Sequence, residues 1–174
     1  MTDPRYPIGR FSPDLNPTSE TRTRHIEEIA GLPSRMRRAV SGLSPDQINT
    51  PYRDGGWTVQ QVVHHVADSH LNAYIRFKLT MTADTPTINA YDEVAWAQLK
   101  DTQGTPIEVS VSLLESLHMR WIVLLKSLGT EDFQRKFNHP ESGLHDADWL
   151  LSLYSWHGNH HLTHVTSLRE RMKW

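Results

Sequence analysis

Apolar positions recur at helical spacing along most of the chain, in four long stretches. The first begins near Ser19 and carries Ile26, Ile29, Leu32, Met36, Val40 and Leu43 on one side. Pro33 interrupts it and predicts a kink or a short break. Ser44-Pro45-Asp46-Gln47 reads as a new helix start, and Pro51 and Gly55-Gly56 keep that helix brief. Thr58-Val59-Gln60-Gln61 is a capping box that opens the second long helix. It runs to about Met81 with Val59, Val62, Val63, Val66, Ala73 or Tyr74, and Phe77 as its stripe. Its β-branched valines weaken helix propensity, so packing must hold it.

Ala83 to Asn89 reads as a loop, and Asp92 to Leu99 as a short helix with Trp96. Thr105-Pro106 opens the third long helix, with Val109, Leu113, Leu117, Trp121, Leu124, Leu125 and Leu128 inward and Gly129 as C-cap. Thr130 to Gly143 is irregular, with room for a helical turn at Glu131–Phe133. Asp146 or a neighbour caps the last helix, which passes Trp149, Leu153, Trp156, His160, His164 and Leu168 to about Met172. No useful period-2 run is seen. The pattern predicts an all-α single domain over 1–174: a four-helix bundle with extra short helices. Residues 1–17 hold four prolines and read as an extended N-terminal arm. The connection from Ala83 to Thr105 is long enough for a crossover, so simple up-down topology is not implied.

Composition narrows the chemistry. Net charge is -2, with no basic block beyond the short Arg35–Arg38 cluster, so no nucleic-acid or anionic-membrane partner is expected. No apolar run approaches the roughly 18 residues a membrane span needs, and Met1-Thr2-Asp3-Pro4-Arg5 lacks a signal-peptide pattern. A cytoplasmic, soluble protein is expected. There is no cysteine. Disulfides, a Cys nucleophile and Cys-based zinc sites are therefore excluded, and any metal must be held by histidine and carboxylate.

Histidine is over-represented, 11 residues in 174, and clustered. His64, His65 and His70 stand in one helix, and His157, His160, His161 and His164 in another. The second cluster holds two i,i+4 pairs, His157/His161 and His160/His164, each on one helix face. Such a pair can share one ion, with a third ligand from a facing helix. Three neutral imidazoles leave a coordination position open, as catalytic sites do. Spacing chooses neither between the two pairs nor between His64 and His65. Arg53 in Tyr52-Arg53-Asp54-Gly55-Gly56-Trp57 is a candidate anchor for an anionic substrate or, more plainly, part of a glycine turn with an Arg53–Asp54 ion pair. Asp68 is placed to orient a ligand imidazole or act as a base, or to face solvent. Tyr74, Arg76 and Lys78 read as ordinary helix residues. Trp57 and Trp156 are close enough to the histidines to line a pocket.

The run from Thr50 to Val59, continuing through Gln61-Val62-Val63-His64-His65, Ala67-Asp68-Ser69-His70 and Tyr74-Ile75-Arg76-Phe77-Lys78-Leu79, resembles the YfiT-like branch of the DinB superfamily. The likeness extends to Tyr6-Pro7-Ile8-Gly9, Tyr91-Asp92-Glu93, Ala95-Trp96, Leu99-Lys100-Asp101 and the tail from Tyr154 to Trp174. It implies a four-helix bundle holding one divalent ion, zinc or nickel, on His65, His160 and His164, in a cytoplasmic homodimer. Members of that family carry the label of metal-dependent hydrolases, and others are transferases or isomerases using bacillithiol or mycothiol. A thiol S-transferase acting on a small electrophile is thus expected, with a hydrolase as the alternative and Asp68 and Arg53 as catalytic candidates. A chain without cysteine would take its thiol as a cosubstrate.

Overall fold

The computed structural model describes residues 3–174. In chain order the elements are α1 Ser19–Val40, α2 Pro45–Ile48, α3 Val59–Thr82, α4 Glu93–Trp96, α5 Lys100–Gly104, α6 Ile107–Ser127, α7 Thr130–Phe133, β1 Lys136–His139, β2 Gly143–Asp146 and α8 Ala147–Met172. The long helices α1, α3, α6 and α8 make the bundle. Their starts follow the local chemistry. The Thr58 hydroxyl accepts from the Gln61 amide, and Gln61 Oε1 accepts in return from the Thr58 N–H. Asp146 Oδ1 accepts from the Trp149 N–H at the head of α8. Gly129 is the N-cap of α7, where its N–H donates to Asp132 Oδ2; the C-cap of α6 is Leu128, in an extended conformation.

α1 packs on α6 and α8, and α3 packs on the same two helices. Consecutive long helices α1 and α3 therefore stand at opposite corners, with crossovers instead of simple up-down turns. The connection through α4 and α5 supplies the length. Two apolar clusters fill the bundle, one around Met36, Val62, Val66, Leu114 and Val165, the other around Phe77, Trp121, Phe137 and Leu150. Gly158 lets α1 close on α8: a Cβ there would lie 2.6 Å from Leu32 Cδ2 and 3.4 Å from the His70 ring.

Three further expectations change. α1 runs unbroken through Pro33. The proline leaves the Ile29 carbonyl without its helical donor, and His118 Nδ1 on α6 sits 2.8 Å from that oxygen and replaces it. The inward stripe of α6 is rotated: Ile107, Val111, Leu114, Leu117, Trp121 and Leu125 are buried, whereas Val109 and Leu113 are exposed. Both faces of α6 carry apolar residues, so periodicity alone is ambiguous there. The segment read as irregular contains a short antiparallel hairpin, Lys136–His139 against Gly143–Asp146. Its strands are four residues each and bury only Phe137 fully, too little for a period-2 signal. Among the described residues, no helix is long and apolar enough to cross a membrane. The described part of the arm, residues 3–17, lies on α8, with Phe11 against Trp149 and Trp156, and Tyr6 near His160.

Candidate metal centre

His64 and His65 are adjacent on α3 and point to different places. His64 turns to α6, where Nε2 lies 3.0 Å from the Thr105 carbonyl and Nδ1 2.7 Å from Ser110 Oγ. A carbonyl only accepts, so His64 Nε2 is the donor and both its nitrogens are occupied. His65 turns to α8. Its Nε2 lies 3.2 Å from His157 Nε2, and its ring packs edge-on to His161 at 4.7 Å.

The donor atoms of His65, His157 and His161 all fall within 4.8 Å of one another, as a ligand set does. Two nitrogens bound tetrahedrally at 2.0–2.1 Å would sit about 3.3 Å apart, close to the 3.2 Å between His65 and His157. His160 and His164, the pair assigned by resemblance, group with His161 and not with His65. His157 and His161 pack against His65; His160 lines the same cavity as His65, and His164 turns toward the arm and the Tyr52 loop. His160 stacks on Trp156 at 4.4 Å. His164 lies under Tyr52 at 4.0 Å, with Nε2 3.4 Å from the Arg5 carbonyl.

A buried chain of imidazoles sets the tautomer of His157. The Ile29 carbonyl forces a proton onto His118 Nδ1, leaving a lone pair on its Nε2. That lone pair, 3.0 Å from His70 Nδ1, forces the proton there. His70 Nε2 is then an acceptor, 3.4 Å from His157 Nδ1. His157 therefore carries its proton on Nδ1 and aims the Nε2 lone pair at His65. Metal-ligating histidines are ordinarily fixed in this way by a partner on the other nitrogen.

The rings are held neutral. Burial pushes His65, His118, His160 and His164 down to about 4. Burial, and then neighbouring imidazoles, hold His70, His157 and His161 well below the usual histidine value. Lone pairs are thus available at neutral pH. The Nδ1 atoms of His160, His161 and His164 are buried without a partner among the described residues.

The cluster opens into a cavity of about 340 Å³. Trp57, Ser69, Arg76, Tyr91, Tyr154 and Trp156 help to wall it. Neither Asp68 nor Arg53 lines it. Asp68 is half-buried, and burial followed by the charge of Asp101 raises its carboxyl to about 6. Arg53 serves the glycine turn: Nη1 donates to the Asp54 carbonyl at 2.7 Å and Nε to the Tyr52 hydroxyl at 3.2 Å. No Arg53–Asp54 ion pair forms; a Cβ at Gly56 would lie 2.7 Å from Arg53 Cγ, which explains the glycine. Spacing had offered His157 and His161 as one of two pairs. His118 carried only the weak signal of a polar residue between Leu117 and Trp121, and Arg76 none.

Fold and site together define a helical bundle with an all-imidazole donor cluster at the wall of a cavity. Residues 28–165 match the model of the DinB superfamily, and the chain belongs to that superfamily. It is 52% identical over 174 residues, all of both chains, to a Bacillus mycoides (strain KBAB4) protein named "Putative metal-dependent hydrolase". A Bacillus thuringiensis subsp. konkukian (strain 97-27) protein of the same description is 51% identical over the full length of both chains. Among solved structures, YfiT from Bacillus subtilis superposes with a TM-score of 0.96 at 44% identity, covering 99% of each chain. YfiT is described as "a probable metal-dependent hydrolase with an unusual four-helix bundle topology".

Proposed function

We propose that this protein is a metal-dependent enzyme that holds one divalent ion on His65, His157 and His161 and activates a low-molecular-weight thiol for transfer to a small electrophile. The observation that carries the reading is the convergence of three neutral imidazoles on one wall of an open cavity. Zinc and nickel both suit imidazole ligands. A bound ion would supply a Lewis acid that lowers the pKa of a thiol or a water in the open position. The chain's own residues do the rest. The relay from His118 through His70 orients His157, Trp57 covers His65 with ring centroids 4.7 Å apart, and the cavity receives the electrophile.

Two features favour a thiol. The chain has no cysteine of its own. Among the described residues, the carboxylates lining the cavity, Glu93 and Glu141, are exposed, so no buried carboxylate stands ready to take a proton from water. A thiol, with a free pKa of about 8.5 against about 15.7 for water, would need less help from a base beside a bound ion. The names of the relatives favour a second reading, hydrolysis by activated water.

One assay separates them. Zinc- or nickel-loaded protein is incubated with bacillithiol and a chromogenic electrophile, and separately with a chromogenic ester and no thiol. Thiol-dependent turnover above the metal-free protein is expected. No such rate with any of several thiols would sink the transferase reading, and thiol-free ester turnover would install the hydrolase.

A further inference from the structure

The cavity holds a buried charge that the metal reading does not use. Arg76, on α3, is 8% exposed and lines the cavity beside His157 and Tyr154. Its Nη1 donates to the Tyr154 hydroxyl at 3.1 Å and its Nη2 to the Asn89 carbonyl at 2.8 Å. Its Nε is buried with no partner among the described residues. Among the described residues, no carboxylate comes within ion-pair distance of Arg76.

Guanidinium stays charged at any working pH. A buried charge is costly unless paired, and two neutral acceptors do not neutralise it. A purely structural tie between α3, α8 and the Asn89 loop needs the hydrogen bonds but not the charge. The position for a paired anion is open: Glu93 and Glu141 share the cavity wall but stay outside ion-pair distance of the guanidinium. Guanidinium offers five N–H donors in a fork suited to planar oxyanions, and two are used here.

We infer that Arg76 is the docking group for a carboxylate on the substrate or cosubstrate, holding it in the cavity beside the three imidazoles. A monoanion matches the single buried cation. A phosphoryl dianion would leave excess negative charge in a cavity whose wall already carries Glu93 and Glu141. The inference rests on the reading of this cavity as the substrate site and names the class of molecule that enters it: a small carboxylate-bearing compound, either the thiol or the electrophile. Arg53, the cation that the sequence put forward for this task, is held by the Tyr52–Asp54 turn.

The test uses acetate and inorganic phosphate as probes on metal-free protein, where neither can ligate an ion. Acetate should move the Arg76 Nε–H resonance saturably. In Arg76→Met, acetate binding followed by the remaining cavity resonances should weaken about 10-fold to 100-fold, the loss expected for a charged hydrogen bond. Arg76→Lys should retain part of it, and Arg53→Met should bind as wild type. An unmoved Arg76 resonance in the wild-type protein overturns the inference, and this readout stands even if Arg76→Met fails to fold. Tighter binding of phosphate than of acetate at Arg76 overturns the carboxylate assignment. Because the probes are read without metal, a failure here is separate from a failure of the ligand assignment, which metal binding by the histidine variants reports.

Discussion

The two histidine faces of α8 have the same composition and different surroundings. His157 and His161 meet α3, where His65 waits and a relay fixes the tautomer of His157. His160 and His164 meet Trp156, the Tyr52 loop and the arm, with aromatic rings stacked on both. An i,i+4 pair of histidines is thus only half a metal site. The other half is a third donor at coordination distance and a partner on the far nitrogen.

The sharpest way to break the comparison is to remove one histidine from each face. His161→Ala should weaken zinc binding on the order of 1,000-fold, since only two imidazoles remain and one vertex of the tetrahedron is gone. His164→Ala should bind zinc within a few-fold of wild type. Chelator competition measures both. Equal losses would mean that the two faces share the work, and loss only in His164→Ala would restore the assignment made by resemblance.

This is also where legibility in the sequence ends. Caps and helix spans were readable because they are local: Thr58 needs only Gln61, and Asp146 only Trp149. The rotation of α8 is not local. Its histidines recur on two faces one turn apart, and only packing against α3 separates them. Likewise Pro33 signals a break to any local reading, and the rescue comes from His118, 89 positions away from Ile29. Arg76 looks like a solvent-facing helix residue until Tyr154, 78 positions later, covers it.

Acid should test the helices that face α8. His65 and His118 titrate near 4 in the folded chain and near 6.5 when unfolded. The unfolded state therefore takes up protons first. Their contribution to stability is complete above pH 6.5 and is lost as pH falls toward about 4, at about 1.4 kcal/mol per pH unit for each such histidine. Urea unfolding of metal-free protein across that window should show the fall, and His118→Gln should make it shallower. A flat profile from pH 6.5 to 4 would mean that these rings are not held neutral in the fold.

The relay predicts a smaller, more specific effect. His118→Leu removes the group that dictates the His70 and His157 tautomers, and zinc affinity should drop about 10-fold to 100-fold. His118→Gln offers an amide donor for the Ile29 carbonyl and an oxygen acceptor for His70, so it should recover most of the loss. Nitrogen NMR of the metal-free wild type should find the His157 proton on Nδ1. A proton on Nε2 instead, with unchanged affinity in His118→Leu, would dismiss the relay.

The smallest effect concerns Asp68, which shares α3 with His65 but not its cavity. Its carboxyl is raised to about 6 by burial and by Asp101. A raised carboxyl favours the folded state only while protonated, so its ionisation costs stability as pH climbs from about 4 to 6. Asp68→Asn removes that cost. The variant should be more stable than wild type at pH 7.5 by about 1 kcal/mol, after allowance for screening of a half-buried group, and no more stable at pH 4. Because Asp68 does not line the cavity, the same variant should keep metal affinity and turnover within about twofold of wild type. Loss of turnover with metal still bound would instead make Asp68 the proton-transfer group that His65's neighbourhood on the helix first suggested. Denaturant titrations at the two pH values, beside the thiol-transfer assay, decide between a half-buried carboxylate that only costs stability and a base.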